Sequence, residues 1–213
     1  MSDKFNHNHY KTLAESFRYP DQKLDQQTET LLKLVMKQMP GKTVKVQEIL
    51  ETQNLMTLGE QQEYYLMTFD VQAVCCPYLG YLLFGEDYKR AQLLVNLKKE
   101  HSLAGVDCGK ELGDYLPNIL TLLERTTDRN FAEELGFIIT IPAVRFMLVK
   151  LKNVTNYYKD LLEILLDFLS QDFKGEGLED FIIPEQLINE NNDFLFQSEK
   201  AVLCDLSCKS KSF

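Results

Sequence analysis

Apolar residues along this chain recur every three or four positions in almost every long segment, and runs of strict alternation are hard to find, so the pattern predicts an all-α protein built as a helical bundle. Residues 10–19 place Leu13, Ala14 and Phe17 on one face and stop at Pro20, whose ring disfavours a helical residue before it. Residues 28–39 carry Leu31, Leu32, Leu34, Val35 and Met39 as a wide stripe that Pro40-Gly41 breaks. Thr43 is expected to cap a short helix through Met56, and Gly59 to mark the turn before a helix ending at Phe69-Asp70. Pro77 suits the first turn of a helix running to Phe84, since its missing N–H has no partner there anyway. Gly85 then fits the position after a helix end, and Asp87 can cap the next helix, which bears Leu93, Leu94 and Leu97.

Beyond a loop at 105–113, Pro117 marks the start of a helix over 116–125 that buries Ile119, Leu120 and Leu123. Residues 131–152 are β-branched enough for a strand, but no partner strand exists elsewhere and a helix is expected. Residues 157–169 are apolar on most sides, the mark of a buried helix, and Gly175 and Gly177 close the packed part. The chain is therefore expected to divide into a helical domain over 1–170 and a flexible, partly disordered acidic C-terminal tail over 171–213, in which short apolar pieces such as Phe181-Ile182-Ile183 alternate with Asn and carboxylates.

With 213 residues, 45% of them hydrophobic, one sizeable core is the default. The net charge of -9 argues against a nucleic-acid partner, because phosphate contacts need clustered Lys and Arg. More than half of that charge sits in residues 171–213, where nine Asp or Glu and four Lys or Arg leave -5. No apolar run approaches the ~20 residues of a membrane span, and the polar stretch over 1–10 has no secretory core, so a cytoplasmic protein is expected. Its five cysteines are an odd number and include the adjacent Cys75 and Cys76, a poor framework for disulfides.

Catalytic signatures are missing: there is no Gly-rich phosphate loop, no His-Glu-x-x-His and no Gly-x-Ser-x-Gly. Two of the three histidines, His7 and His9, lie in an N-terminus expected to fray, and His101 is expected at the end of a surface helix. Cys204 and Cys208 have no third and fourth ligand in sequence for zinc. Glu111 and Asp114 read as a cap and a surface charge rather than an acid-base pair. The chain is read as a non-enzyme with no cofactor of its own.

Three spaced signatures say more than the rest: Tyr-Tyr-Leu-Met-Thr-Phe-Asp ending at Asp70, Leu-Phe-Gly-Glu-Asp-Tyr-Lys-Arg ending at Arg90, and Glu-Leu-Gly-Asp-Tyr-Leu-Pro ending at Pro117. In this order and at these spacings they resemble the NarJ branch of the TorD/DmsD family of molybdoenzyme assembly chaperones. Leu13-Ala14 through Tyr19-Pro20-Asp21, Pro142-Ala143 and Asn156-Tyr157-Tyr158 extend the likeness over most of residues 10–169. Gly113 stands where that pattern usually has Pro, and Ala91 where Gly is usual.

The resemblance implies a private chaperone that binds the N-terminal segment of a molybdopterin enzyme's catalytic subunit and holds the apo-enzyme for cofactor insertion before membrane attachment or export. Molybdenum cofactor biosynthesis proteins are further candidate partners, and no direct membrane insertion is implied. The family pattern falls on Tyr65, Phe69, Asp70, Gly85, Arg90, Glu111, Asp114, Tyr115, Leu116 and Pro117. A groove with apolar walls and carboxylates at its rim would suit a basic amphipathic peptide. Tyr65, Phe69, Tyr115 and Leu120 are the expected wall, and Asp70 and Asp114 the expected charge partners. A helical adaptor for an unrelated partner and a nucleotide- or cofactor-binding module remain the alternatives.

Overall fold

A computed structural model describes residues 7–70 and 75–175. The expectations for residues 176–213, including Gly177, the tail and Cys204 and Cys208, lie outside the described residues. The described chain is helical throughout, with α1 at His9–Ser16, α2 at Leu24–Gln38, α3 at Thr43–Asn54, α4 at Leu58–Phe69 and α5 at Leu79–Phe84. It continues with α6 at Tyr88–Leu103, α7 at Leu116–Arg125, α8 at Arg129–Glu134, α9 at Ile141–Lys150 and α10 at Tyr157–Asp172. The all-α expectation is met.

At the centre is α10, whose Leu161, Leu162, Ile164, Leu165, Phe168 and Leu169 are all buried. It packs on α3 and α9, while α7 lies along α1 and α2 pairs with α3. Five fully buried leucine or isoleucine side chains in the short α7 commit that helix to the core, each worth about 2 kcal/mol by the area it removes from water.

Local chemistry explains most boundaries, and several differ from those read off the sequence. The start of α2 lies one turn earlier than expected, because Leu24 and Thr28 join the buried stripe. A short 3₁₀ turn over Pro40–Lys42 leads directly into α3, so Thr43 is the helix's first residue rather than its cap. Gly59 lies inside α4, whose start is set by a capping box in which Thr57 Oγ1 accepts from the Glu60 N–H and the Glu60 carboxylate accepts from the Thr57 N–H. Pro77 lies outside α5, in an extended segment bridged to Tyr115. Gly85 ends α5 at φ +61°, where a side chain would be strained, and Asp87 Oδ1 accepts from the Lys89 N–H as cap of α6.

The β-branched run at 135–140 is helical, as a π turn joining α8 to α9. Pro142 has no N–H to offer the carbonyl four residues back, and the ladder widens just before it. Thr140 Oγ1 donates to the Leu135 carbonyl at 2.8 Å and fills the opened turn. At this turn Gly136 leaves a slot that the buried Phe173 ring occupies.

That slot belongs to a clasp the sequence did not foretell. His9 Nε2 lies 2.7 Å from Asp172 Oδ2, to which the Tyr10 hydroxyl also donates at 3.0 Å, and the His7 ring meets Phe173 edge-on. The N-terminal histidines expected to fray are therefore packed against the end of α10, and ordered packing runs past residue 170 to Phe173. Gly136→Ala should overlap the Phe173 ring and destabilise the protein by about 1–3 kcal/mol. Urea denaturation checks this: the midpoint should fall with an unchanged slope, and an unchanged midpoint would mean that the slot yields.

Candidate functional site

The segment over 111–117 threads between α5, α6 and α7 and is fixed by its backbone. The Leu79 N–H donates to the Asp114 carbonyl at 2.8 Å and the Leu116 N–H to the Pro77 carbonyl at 2.9 Å, which pairs Tyr78 with Tyr115 as an isolated antiparallel bridge. This places the Asp114 side chain inside the protein, 0% exposed, where Arg90 Nε donates to its Oδ2 at 3.0 Å. A Cβ on Gly80 would stand 2.8 Å from the same oxygen, so the close approach of α5 requires glycine there. The Arg90 guanidinium also covers the Tyr81 ring at 5.2 Å.

The first signature joins the third through two hydroxyls. Tyr65 and Tyr115 approach to 2.6 Å, and the Tyr115 hydroxyl donates onward to the Phe17 carbonyl at 3.3 Å, which leaves Tyr65 to donate to Tyr115. Burial raises both phenol pKa values above the ordinary 10, so both stay neutral. The Tyr65 ring packs on Phe69 and Tyr158 inside, with Tyr19 edge-on to it. All three signatures thus meet at one place.

Their meeting place is largely interior, which corrects the expected roles. Tyr65, Phe69, Tyr115, Leu116, Pro117 and Leu120 are buried core residues rather than the exposed wall of a groove. Asp114 is an internal ion pair, not a surface charge, because the backbone pairing of 77–79 with 114–116 turns it inward. Gly85 shapes a turn, and Arg90 is committed to Asp114. Of the expected carboxylates, Asp70 is exposed at the C-terminal end of α4, and Glu111 is exposed and accepts from the Tyr78 hydroxyl at 2.5 Å.

His101 is also corrected. It is buried against Gly113, with Nε2 donating to the Gly113 carbonyl at 3.0 Å, and burial lowers its pKa below the ordinary 6.5. Burial pushes the Cys75 thiol up to about 12 and raises that of Cys76, so neither forms a thiolate nucleophile.

A groove of about 640 Å³ opens on the other side of α4, between α3, the 151–156 loop and the start of α10. That volume lies within the range of ordinary ligand sites. Its floor is a stacked pair, Tyr64 on Tyr157 at 4.7 Å and 4°, locked by the Tyr157 N–H donating to the Tyr64 hydroxyl at 3.1 Å. Its lining carries three carboxylates, Glu48, Asp160 and Glu163, beside three lysines, Lys45, Lys152 and Lys159, with Lys45 donating to Asp160 at 2.7 Å and to Glu163 at 2.5 Å. These two hydrogen bonds raise the Lys45 pKa and hold it charged.

The sequence carried a signal for this groove. Adjacent helical residues point about 100° apart, so a Tyr64-Tyr65 pair on one helix must serve two directions. Asn156 caps α10 by accepting from the Tyr158 N–H, and Asp160 and Glu163, three apart on that helix, face one side. Among the described residues no cluster of His, Cys, Asp and Glu could hold a metal ion, and no helix is long and apolar enough to cross a membrane. No protein-family model matches the sequence, and comparison with curated proteins finds no match.

Arg90→Ala should leave the Asp114 carboxylate buried without its partner and destabilise the protein by about 3 kcal/mol, read as a lowered urea midpoint; a loss below about 0.5 kcal/mol would mean that water reaches Asp114. His101 predicts an acid effect of definite sign. Its folded pKa lies below 6.5 while the unfolded chain takes up the proton near that value, so stability falls as pH drops from about 6.5 toward the lowered value. His101→Gln, which can still donate to Gly113, should lose less stability than the parent between about pH 7.5 and pH 5.5. An identical loss in both proteins would remove His101 from the account.

Proposed function

We propose that this chain is a dedicated assembly chaperone of the NarJ type. It binds the N-terminal segment of the apo catalytic subunit of a nitrate reductase-like molybdoenzyme in the cytoplasm. It holds that subunit for molybdenum cofactor insertion before membrane attachment or export. One observation carries the reading: the three signatures behind the resemblance converge through the Tyr65–Tyr115 and Arg90–Asp114 contacts, and Tyr64 of the first stacks on Tyr157 to floor a groove. An all-helical core agrees with it.

The groove has the chemistry such a client needs. Its tyrosine faces offer apolar contact to a side chain or a helical turn, and Glu48, Asp160 and Glu163 offer charge to a basic residue. In the unliganded protein Lys45 occupies two of those carboxylates. An incoming guanidinium, with its planar fork of donors, would compete for Asp160 and Glu163 better than the single ammonium of Lys45.

The test is a calorimetric titration of the full chain with the N-terminal peptide of the molybdopterin subunit encoded beside it. The double change Asp160→Ala and Glu163→Ala should weaken binding about tenfold, equivalent to ~1.4 kcal/mol. Lys45→Ala should tighten it, and added salt should weaken the parent. Equal affinities in all three proteins, each folded, would move the peptide away from this groove, and no binding to the parent would remove the chaperone reading.

A further inference from the structure

Helix α6 shows two unlike faces. Leu97 and His101 point inward, with Leu93 and Leu94 half-buried beside them. On the opposite side Tyr88, Val95 and Leu103 are 74%, 70% and 72% exposed. At 100° per residue these three fall within about 80° of one another, with Ala91 alongside. Gln92 and Lys99 share that arc, so the outside of this surface helix sets three large apolar side chains beside a lysine.

The same helix is basic: with Arg90 neutralised by Asp114, Lys89, Lys98 and Lys99 against Glu100 give 3 minus 1, or +2, in a chain whose net charge is -9. Such a face fits a partner that is both apolar and acidic. The chain carries one. Residues 176–196 contain six Asp or Glu and no Lys or Arg, together with nine large apolar residues, among them Phe181, Ile182, Leu187 and Phe194.

Where that segment departs from the core is fixed. The Glu133 carboxylate accepts from the Lys174 N–H at 2.8 Å and from the Gly175 N–H at 2.6 Å, and Phe173 is seated over Gly136. The chain therefore leaves beside α8 and the π turn. Helix α5 packs against both that turn and α6, so α6 lies within two helix spacings, at most roughly 20 Å. Six or so extended residues span that distance at ~3.4 Å each. The apolar run from Phe181 onward is thus in register to reach α6.

We propose that residues 176–196 of this chain dock on the outer face of α6, setting their apolar side chains on Tyr88, Val95 and Leu103 and their carboxylates near Lys98 and Lys99. Attachment through the five residues before Phe181 corresponds to an effective concentration on the order of millimolar. Even a millimolar intrinsic affinity therefore keeps the face covered about half the time. The docking is independent of the client groove, which lies on α3, α4 and α10.

The test uses the full chain, which has no tryptophan of its own. V95W places a reporter on that face, and L55W places one at the 88%-exposed end of α3 as the solvent-exposed reference. Acrylamide should quench V95W about twofold less than L55W, as expected for a face covered at least half the time. Adding F181D and I182D, or raising the salt, should restore full quenching of V95W. Zero-length carbodiimide coupling of the unaltered chain should join Lys98 or Lys99 to a carboxylate of residues 176–196 within one molecule, at a yield that dilution does not change. Equal quenching of the two reporters overturns the proposal. So does an adduct that forms only between molecules, which would assign the face to a second copy, and so does the absence of any adduct.

Discussion

Asp114 keeps its carboxylate where it is 0% exposed, and Arg90 is the side chain that meets its charge. An unpaired buried carboxylate costs several kcal/mol, so each element that supplies a part of this pairing is constrained in position. The first turn of α6 must hold the Arg90 guanidinium against α5. Gly80 must stay without a side chain so that α5 can approach. The strand-like pairing of 77–79 with 114–116 must hold the Asp114 backbone while its side chain turns inward. Helices α5, α6 and α7 are thereby set in one arrangement, which burial of leucines alone would leave loosely specified.

From that junction the Tyr65–Tyr115 hydroxyl pair carries the arrangement to α4, and α4 carries it to the groove. Tyr65 faces the junction and Tyr64 faces Tyr157, so two adjacent residues of one rigid turn hold the scaffold on one side and the floor of the groove on the other. The floor is doubly fixed, by ring stacking and by the Tyr157 N–H on the Tyr64 hydroxyl. A stacked pair anchored to the core presents its surface without losing rotamer freedom on binding, which is the property that favours recognition.

Periodicity made the helices legible, and turn chemistry made several of their ends legible too, since Gly85 and Pro117 act through their own backbones and Asp87 through its carboxylate on the N–H two residues on. Failures came where a distant residue decides. Pro77 suits a helix start by itself, but the bridge to Tyr115 pulls it into an extended segment. Asp114 looks like a surface carboxylate until Arg90, twenty-four residues away, is seen beside it. His7 and His9 look like part of a frayed end until Asp172 and Phe173 arrive from the far end of the helical body. The candidate site suffered most, because a conspicuous aromatic in a helical chain marks core packing as readily as a binding wall. Tyr64 and Tyr65 are chemically identical, and only the direction of each separates the two roles.

The placement of charge decides how the groove could select a partner. Of the net -9, residues 171–213 hold -5, which leaves -4 for the remaining 170 residues. Screening confines interactions between exposed charges to about 8 Å at physiological salt, so a diffuse excess of that size gives the body no strong field for drawing a basic peptide toward one face. Selection at the groove must then come from contact geometry. Lys45 sets that geometry, because it holds Asp160 and Glu163 together around one cation. Both carboxylates are thereby engaged by one ammonium, and an incoming cation would have to displace it from each.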